Sequence, residues 1–448
     1  MSARIPILVL TAGMGAGHDQ VAHELSDRLE RRGFRAELVD LWDLMPLGLG
    51  RLMTGFYRLM IRRAPWLYSI IYRIWFRPSD RHRASVSPVT RLAQRRLAQR
   101  VAELHPAAVL STFHVCSQLL GELRRRGRTP APVASIVVDF AAHGLWVHPD
   151  VDAHLCLHPR QADRIKAQGG KGVAAPGPVV RVRFTRPTWT RADARSTLGV
   201  SAEERMVLVV AGSWGAGDVA GTVGVLADAG EFRMFVLTGD NEELRRRLVA
   251  KGGATVFGWV DDMDRFMAAA DAVVENAGGL TAMEAMASGV PVISYAPIPG
   301  HGRQNVERMA EVGISLYARD RSQLVEYLHL VTTDGPTRRR LLATAADISG
   351  PTPPSWWKSW HSKDPAARPG ARPADDRPAS PRRSGTNDPW PAAPTAEVKR
   401  PTGRERCRGG WPPPPPAAPP SWWRRPSVWP TTRRRTHRSW RPPGPPRR

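Results

Sequence analysis

The segment ENAGGLTAMEA, residues 275–285, decides the fold of this chain. A short apolar run, residues 271–274, leads into it, and a helix-forming stretch that contains Glu284 follows its two glycines. Glycines let an anion approach the backbone, and a helix start offers free N–H groups and a partial positive charge. The segment therefore predicts a nucleotide diphosphate site, with Glu284 placed to bind a ribose hydroxyl. The predicted diphosphate-binding residues are Gly278, Gly279, Leu280 and Thr281.

Short apolar strands alternate with amphipathic helices over the first 350 residues, which is the pattern of parallel α/β domains. Two such halves predict a pair of Rossmann-like domains, residues 1–178 and 206–348, joined by a linker, residues 179–205. Ligands of such domains lie at the carboxyl ends of the strands. The predicted strands are 5–10, 36–39, 108–111, 133–138 and 153–157 in the first half, and 206–210, 232–237, 255–257, 271–274, 290–294 and 314–317 in the second.

A second glycine loop, TAGMGAGH at residues 11–18, lies between the first strand and a predicted helix, residues 18–32. His18 stands at the start of this helix, where the helix dipole disfavours a charged imidazole. A neutral imidazole can accept a proton from an alcohol, so we predict His18 as a general base. Asp139 follows the strand 133–138 and is predicted to orient that base or to bind the acceptor hydroxyl. A surface or capping role is the alternative for both residues.

Three further segments of the second half also follow predicted strands. The glycine-rich turn after 206–210 is predicted to form a second wall of the diphosphate site. The backbone at the strand end near 257 can form hydrogen bonds with the edge of a uracil base. The proline-rich loop after 290–294 carries side chains suited to binding sugar hydroxyls. Ordinary turns and strand ends are the alternative. The predicted residues are Gly212 and Ser213 for the diphosphate, Phe257 and Val260 for uracil, and His301, Gln304 and Asn305 for the sugar.

Residues 51–78 combine aromatic and aliphatic side chains with interleaved arginines, and Pro65 divides them into two short amphipathic pieces. Trp, Tyr and Arg together are typical of a helix at the lipid headgroup level. The stretch therefore predicts contact with a lipid acceptor and an anionic membrane surface, and an unusually aromatic pair of core helices is the alternative. The residues assigned to acceptor or membrane are His143, Trp146, Arg58, Arg62, Arg63, Trp66 and Trp75.

The bulk composition excludes several classes of protein. The chain has 448 residues, a formal net charge of +24 and three cysteines. The cysteines show no metal-ligand spacing, which favours a reduced cytoplasm, and no segment offers the roughly 18 uncharged apolar residues of a membrane span. These features predict a cytoplasmic protein, and residues 51–78 predict a peripheral position at the inner face of the cell membrane. No metal or other cofactor and no specific nucleic-acid partner are expected.

The residues after Gly350 differ in kind from the rest. They contain 25 of the 42 prolines and 9 of the 16 tryptophans, but no Leu, Ile, Phe, Tyr or Met. Such a composition does not bury a core, so residues 349–448 are predicted to form a disordered Pro/Arg/Trp-rich tail. The abrupt change, rich in the residues that a GC-rich gene encodes out of frame, also fits a frameshift product. A charge-driven membrane or nucleic-acid binding protein is the alternative that is not an enzyme.

Together these segments resemble glycosyltransferase family 28, with the monogalactosyldiacylglycerol synthases and the processive diacylglycerol glucosyltransferases as the nearer relatives. The resemblance covers roughly residues 4–345 and depends most on residues 13–18, on Asp139 with His143 and Trp146, and on residues 276–284 and 299–305. It implies a GT-B fold, two Rossmann-like domains facing across a cleft. It also implies a UDP-sugar donor, inversion at the anomeric carbon and a lipid acceptor, with diacylglycerol expected here.

The same resemblance supplies roles by position. His18 matches the proposed base, Glu284 the ribose-binding acid, and His301 and Asn305 the loop that contacts the sugar. His301-Gly302 stands where plant galactolipid synthases carry Gln-Glu, so the donated sugar stays open. Two other enzymes share the architecture and remain alternatives: a UDP-GlcNAc-using lipid-linked transferase and a UDP-sugar 2-epimerase.

Overall fold

The structure, a computed structural model, describes residues 4–64, 67, 70 and 88–349. Trp66, Trp75 and the predicted disordered tail after Ser349 lie outside the described residues. Within the described part of the chain, no helix is both long and apolar enough to cross a bilayer.

The first half forms a six-stranded parallel sheet in the order β2-β1-β3-β4-β5-β6. Its central strands are buried apolar runs, as expected for a parallel sheet that is covered on both faces. Five of its strands were predicted to within two residues, whereas β6 has only two residues and is too short to show a period. The strands are β1 Pro6–Thr11, β2 Arg35–Asp40, β3 Ala108–Ser111, β4 Val133–Ile136, β5 Ala153–Leu155 and β6 Val173–Ala174.

In the described part of the first half, five α-helices and two 3₁₀ turns accompany this sheet. The first helix begins two residues before the predicted start, because Gly15 adopts φ 115° and serves as its N-cap, so His18 lies within the first turn. The helices are α1 Ala16–Glu30, α2 Leu49–Arg63, α3 Pro88–Leu104, α4 His114–Arg125 and α5 Pro159–Ala167, and the 3₁₀ turns are Pro46–Gly48 and Gly144–Trp146.

The second half forms another six-stranded parallel sheet, in the order β12-β11-β10-β7-β8-β9. All six strands were predicted to within two residues, since each is a short, mostly apolar run bounded by glycine, proline or charged residues. The strands are β7 Met206–Val210, β8 Arg233–Leu237, β9 Thr255–Phe257, β10 Ala272–Glu275, β11 Val292–Tyr295 and β12 Ser315–Ala318.

The helices of the second half start inside the predicted linker. Residues 179–205 contain α6 and α7, and Phe184 and Ala194 from these helices are buried in one cluster with Phe140 of the first half and Val273 of the second. The helices are α6 Val182–Thr185, α7 Arg191–Leu198, α8 Val219–Ala229, α9 Glu242–Lys251, α10 Met263–Ala269, α11 Leu280–Ala287, α12 His301–Val312, α13 Arg321–Thr332 and α14 Pro336–Ser349.

The strand orders determine where ligands can bind. In each sheet the order reverses next to its first strand in sequence, between β1 and β3 in one sheet and between β7 and β10 in the other. The loops after these four strands diverge and leave a crevice, which is the usual ligand position in open parallel sheets. The loops after β1, β7 and β10 are the three glycine-rich segments that the sequence singled out.

Candidate active site

A cavity of about 770 Å³ lies between the two halves, at the carboxyl ends of both sheets. It is lined by the loops after β1, β4, β7 and β10, and by the side of α2. Twelve of the predicted site residues line it: His18, Asp139, His143, Gly212, Ser213, Val260, Gly279, Leu280, Thr281, Glu284, His301 and Asn305.

The turn between β10 and α11 is held by a buried carboxylate. Glu275 accepts hydrogen bonds from the backbone N–H groups of Ala277 (2.7 Å) and Gly278 (2.5 Å) and from the hydroxyl of Ser294. Gly278 completes the turn at φ 62°, in the left-handed region that favours glycine. Burial raises the pKa of Glu275. The turn aims the start of α11 at the cavity, as the predicted diphosphate site requires.

The loop after β7 forms the facing wall. It contains three glycines with positive φ, Gly212, Gly215 and Gly217, and the side-chain amide of Asn276 donates to its Ala216 carbonyl at 2.8 Å. From the other half, the Ala16 N–H donates to the Ser213 hydroxyl at 3.3 Å. A Cβ on Gly17 would lie 3.6 Å from Cβ of Leu280, so the starts of α1 and α11 lie close together at one cavity. The partial positive charge of both helix starts favours an anion there.

Glu284 is buried and paired with an arginine. Arg181, from the segment that joins the halves, donates through Nε (3.1 Å) and Nη2 (2.7 Å) to Oε1 of Glu284. Burial raises the pKa of Glu284 to about 7, and the charge of Arg181 opposes the rise. Among the described residues no hydrogen bond reaches Oε2, so that oxygen remains available to a ribose hydroxyl.

The imidazole of His18 is fixed by a backbone carbonyl. Its Nδ1 lies 2.9 Å from the Thr112 oxygen, and its ring packs edge-on against Phe113 at 4.9 Å. Because a carbonyl can only accept, Nδ1 carries a proton, and in the neutral form of the ring Nε2 is the nitrogen with the lone pair. This is the tautomer that a general base needs.

Three more histidines gather around His18. The rings of His114 and His143 meet edge to face at 4.7 Å, and His301 comes from the first residue of α12. Burial lowers the pKa of all three, to about 4 for His143, and the neighbouring imidazoles lower the pKa of His114 and His301 further. These three rings are therefore neutral at pH 7 and can form hydrogen bonds without adding charge.

Asp139 connects the two halves. Its Oδ2 accepts from the Trp146 indole N–H at 3.2 Å, and its Oδ1 accepts from the side-chain amide of Asn305 at 3.2 Å. The other amide atom of Asn305, Oδ1, accepts from the Ala141 N–H at 2.8 Å. Asn305, predicted to contact sugar, thus also joins α12 to the loop after β4.

One group of side chains has the spacing of metal ligands. His114, Asp139 and His143 each offer an atom, and these atoms lie within 4.8 Å of one another. The helices α1, α4 and α12 all begin at this end of the cavity, and their positive ends disfavour a cation there. Two imidazoles and one carboxylate can bind a metal ion or form hydrogen bonds with a hydroxylated ligand.

Helix α2 forms an apolar wall of the cavity and also contacts the second half. Arg58 pairs with Asp240 at 3.2 Å and Arg63 with Glu243 at 3.4 Å, while Arg62 donates to the Trp214 carbonyl at 2.7 Å. The sequence assigned these arginines to acceptor or membrane, and the structure gives them partners in the second half. The residues of α2 that line the cavity are Met53, Phe56, Tyr57, Met60 and Ile61.

Several predicted residues lie away from the cavity lining. The ring of Phe257 packs against Phe235 and Phe266, and its carbonyl accepts hydrogen bonds from Thr238. At this strand end the cavity is lined instead by Gly258, Trp259 and Val260, which are placed to contact a nucleotide base. Gln304 is exposed on α12. The others outside the lining are Gly278, which shapes the turn, Trp146, which donates to Asp139, and Arg58, Arg62 and Arg63.

The sequence analysis missed Glu275, Arg181, His114 and Trp214. Glu275 could have been found, because an acid at a strand end before two glycines is well placed to accept from the turn. The other three carry no local signal. Arg181 meets Glu284 across 103 positions of sequence, and the Trp214 carbonyl meets Arg62 across 152.

Comparisons with known proteins agree with this geometry. Residues 18–175 match the family described as monogalactosyldiacylglycerol (MGDG) synthase, and residues 204–347 match glycosyl transferases group 1. A curated relative, processive diacylglycerol beta-glucosyltransferase of Bacillus subtilis, is 24% identical over 78% of this chain and 92% of its own.

Solved structures show the same fold. The glycotransferase of kitacinnamycin has a TM-score of 0.51 at 16% identity, over 78% of this chain and 97% of that one. Sucrose-phosphate synthase from Thermosynechococcus elongatus has a TM-score of 0.50 at 14% identity, over 77% and 94%. Two facing parallel sheets with a cavity at their carboxyl ends define this chain as a glycosyltransferase of the GT-B fold. It is a hexosyltransferase, and its first half matches the model of the monogalactosyldiacylglycerol synthase family, in agreement with the sequence resemblance.

Proposed function

We propose that this protein transfers a hexose from a UDP-sugar, with inversion, to the hydroxyl of diacylglycerol or a related lipid. The observation that carries the proposal is the shared cavity that is lined both by the start of α11 from the second half and by His18 from the first. The names of the curated relatives support a diacylglycerol acceptor. The donor and the stereochemistry rest on the site's geometry and on the family resemblance.

The reaction follows from the positions of α11 and His18 in this cavity. The diphosphate lies against the N–H groups of Gly279, Leu280 and Thr281, and the ribose reaches Oε2 of Glu284. As the lipid alcohol attacks the anomeric carbon, Nε2 of His18 accepts its proton and the bond from that carbon to the diphosphate oxygen breaks. The start of α11 stabilises the charge that grows on the departing UDP, with no metal or other cofactor in this scheme. Attack from the side opposite the leaving group inverts the anomeric centre.

The acceptor enters along α2. Phe56 lines the cavity and is also 57% exposed, while Leu52 and Leu59, four residues before it and three after it, are 68% and 59% exposed. These positions share one helix face, so an apolar surface continues from the outside of the protein into the cavity. We accordingly propose a peripheral position at an anionic membrane, from which the lipid hydroxyl reaches His18.

Transfer of a labelled sugar into lipid tests this function. The full-length protein is incubated with vesicles of phosphatidylglycerol and diacylglycerol and, in separate reactions, radiolabelled UDP-glucose, UDP-galactose or UDP-GlcNAc. We expect one donor to yield a chloroform-soluble glycolipid that disappears when diacylglycerol is omitted. Label confined to water-soluble sugars with all three donors, or an epimerised nucleotide sugar as the product, would contradict the proposal.

A further inference from the structure

Helix α2 is held against the donor side of the cavity by both charge and packing. Arg62 donates to the Trp214 carbonyl at 2.7 Å, and the ring of Tyr57 meets the Trp214 ring edge-on at 5.7 Å. Met60 and Ile61 are buried with Ala216 in one small cluster. Helix α2, which lines the acceptor side, therefore contacts the loop after β7 at both Trp214 and Ala216.

That loop, residues 211–217, is held by hydrogen bonds from both halves. Gly212, Gly215 and Gly217 adopt φ of 65°, 56° and 87°, which is the left-handed region of backbone conformation that favours glycine. The second half holds it at Ser213, whose carbonyl accepts from the Asp240 N–H at 2.8 Å, and at Gly215 and Ala216, through the side-chain amides of Asn241 and Asn276. At Trp214, which lies between Gly212 and Gly215, the backbone carbonyl accepts a hydrogen bond from the side chain of Arg62 in the first half.

We propose that Arg62 is a positioning residue for the donor, because it holds the loop 211–217 at the distance from α11 that the diphosphate requires. The inference rests on the proposed function, in which Gly212 and Ser213 form the second wall of the diphosphate site. It extends that function, since it makes the shape of the donor site depend on a helix of the acceptor side.

Arg62 differs from the two arginines beside it. Arg58 and Arg63 pair with Asp240 and Glu243, and these four side chains are 36% to 72% exposed, where ion pairs are screened and weak. Arg62 is partly buried and donates to a carbonyl, which has no other charged donor among the described residues. Hydrogen bonds from a charged group under such shielding are the stronger kind.

A coupling between donor and acceptor follows. A lipid or membrane that shifts α2 changes the loop 211–217 and so changes donor affinity. By linkage, the donor changes the affinity for that lipid by the same factor. Leu52, Phe56 and Leu59 on the outer face of α2 provide the contact through which such a shift can begin.

Calorimetric titration of UDP into the full-length protein tests the assignment. We expect Arg62→Met to weaken UDP binding about tenfold, equivalent to about 1.4 kcal/mol, and Arg62→Lys to weaken it by a smaller factor because it keeps the charge. The matched control is Arg51→Met on the same helix. Arg51 is exposed and forms no hydrogen bond or ion pair in the described part of the chain, so UDP affinity should stay within about twofold of wild type.

The kinetic readout separates positioning from folding. In steady-state assays with the accepted donor, Arg62→Met should raise the donor KM about tenfold, while kcat at saturating donor falls by no more than about twofold. If Arg62→Met does not fold, Arg62→Lys with an unchanged Tm carries the same test. If Arg62→Lys and a folded Arg62→Met both bind UDP with wild-type affinity, the inference about Arg62 is wrong, but the proposed function is unaffected. A wild-type protein that does not bind UDP would overturn the proposed function and, with it, this inference.

Discussion

Glu284 shows how two opposing effects set the chemistry of one residue. Burial raises its pKa to about 7, while Arg181 at 2.7 Å favours the charged form without cancelling the rise. The sequence was sufficient to predict an acid one turn into α11. It could not predict the arginine, because that partner comes from the segment joining the halves, and only folding brings the two together.

The raised pKa makes the stability contribution of Glu284 depend on pH. A folded-state pKa above the ordinary value of 4.5 favours the protonated carboxyl in the folded protein. This contribution is present below pH 4.5 and is lost as the pH rises through about 7, by up to about 3 kcal/mol for a shift of this size. In Glu284→Gln the group no longer titrates, and its side-chain oxygen still accepts from Arg181.

We therefore expect the Tm of Glu284→Gln, relative to wild type, to increase between pH 5 and pH 8. Differential scanning calorimetry of both proteins across that range measures the gap, and effects of other titrating groups cancel in the comparison. A gap that stays constant with pH would show that Arg181 keeps Glu284 charged throughout and that burial does not dominate.

At the scale of elements, the turn from β10 into α11 concentrates the structural demands of the donor site. A side chain on Gly278 would lie 2.7 Å from Cβ of Asn305 and 2.9 Å from the Val306 nitrogen, at φ 62°. A side chain on the neighbouring Gly279, at φ −113°, would meet nothing within 4 Å. The backbone conformation and the contact with α12 therefore favour glycine at position 278, whereas position 279 has room for a side chain.

Substitution of these two glycines by alanine tests that difference. Gly278→Ala should lower the free energy of unfolding by about 2–3 kcal/mol, from the left-handed backbone and the contact with α12. Gly279→Ala is the control and should change it by less than about 0.5 kcal/mol. Urea denaturation measures both. Equal losses would mean that the turn does not have the geometry described here.

The elements themselves were largely predictable from the sequence. Runs such as MVLVV at β7 and PILVLT at β1 are long, buried and bounded, so their type and position follow from pattern alone. The two-residue β6 has no period to detect. The docking of α2 on the second half was not predictable, because the same alternation of arginine and aromatic residues suits a lipid surface and a protein surface alike.

For the whole molecule, two alternating α/β halves predicted the architecture, and the glycine loops predicted which strand ends matter. What the sequence could not supply is the pairing across the cleft. Ala16 meets Ser213, and Ala141 meets Asn305, across 197 and 164 positions. Such contacts depend on how two independently formed sheets dock, and no local pattern encodes them.

The central claim is that one cavity holds a UDP-sugar against α11 and a lipid hydroxyl against His18. The measurement that tests it most directly compares wild type with His18→Ala, for labelled sugar transferred to diacylglycerol vesicles and for UDP affinity by calorimetry. We predict a glycolipid from wild type and a rate about 10²–10⁴-fold lower in His18→Ala. The UDP affinities of the two proteins should agree within about twofold, because in the described part of the chain no hydrogen bond joins His18 to Gly212, Ser213 or residues 278–281. Equal transfer rates in the two proteins would contradict the claim.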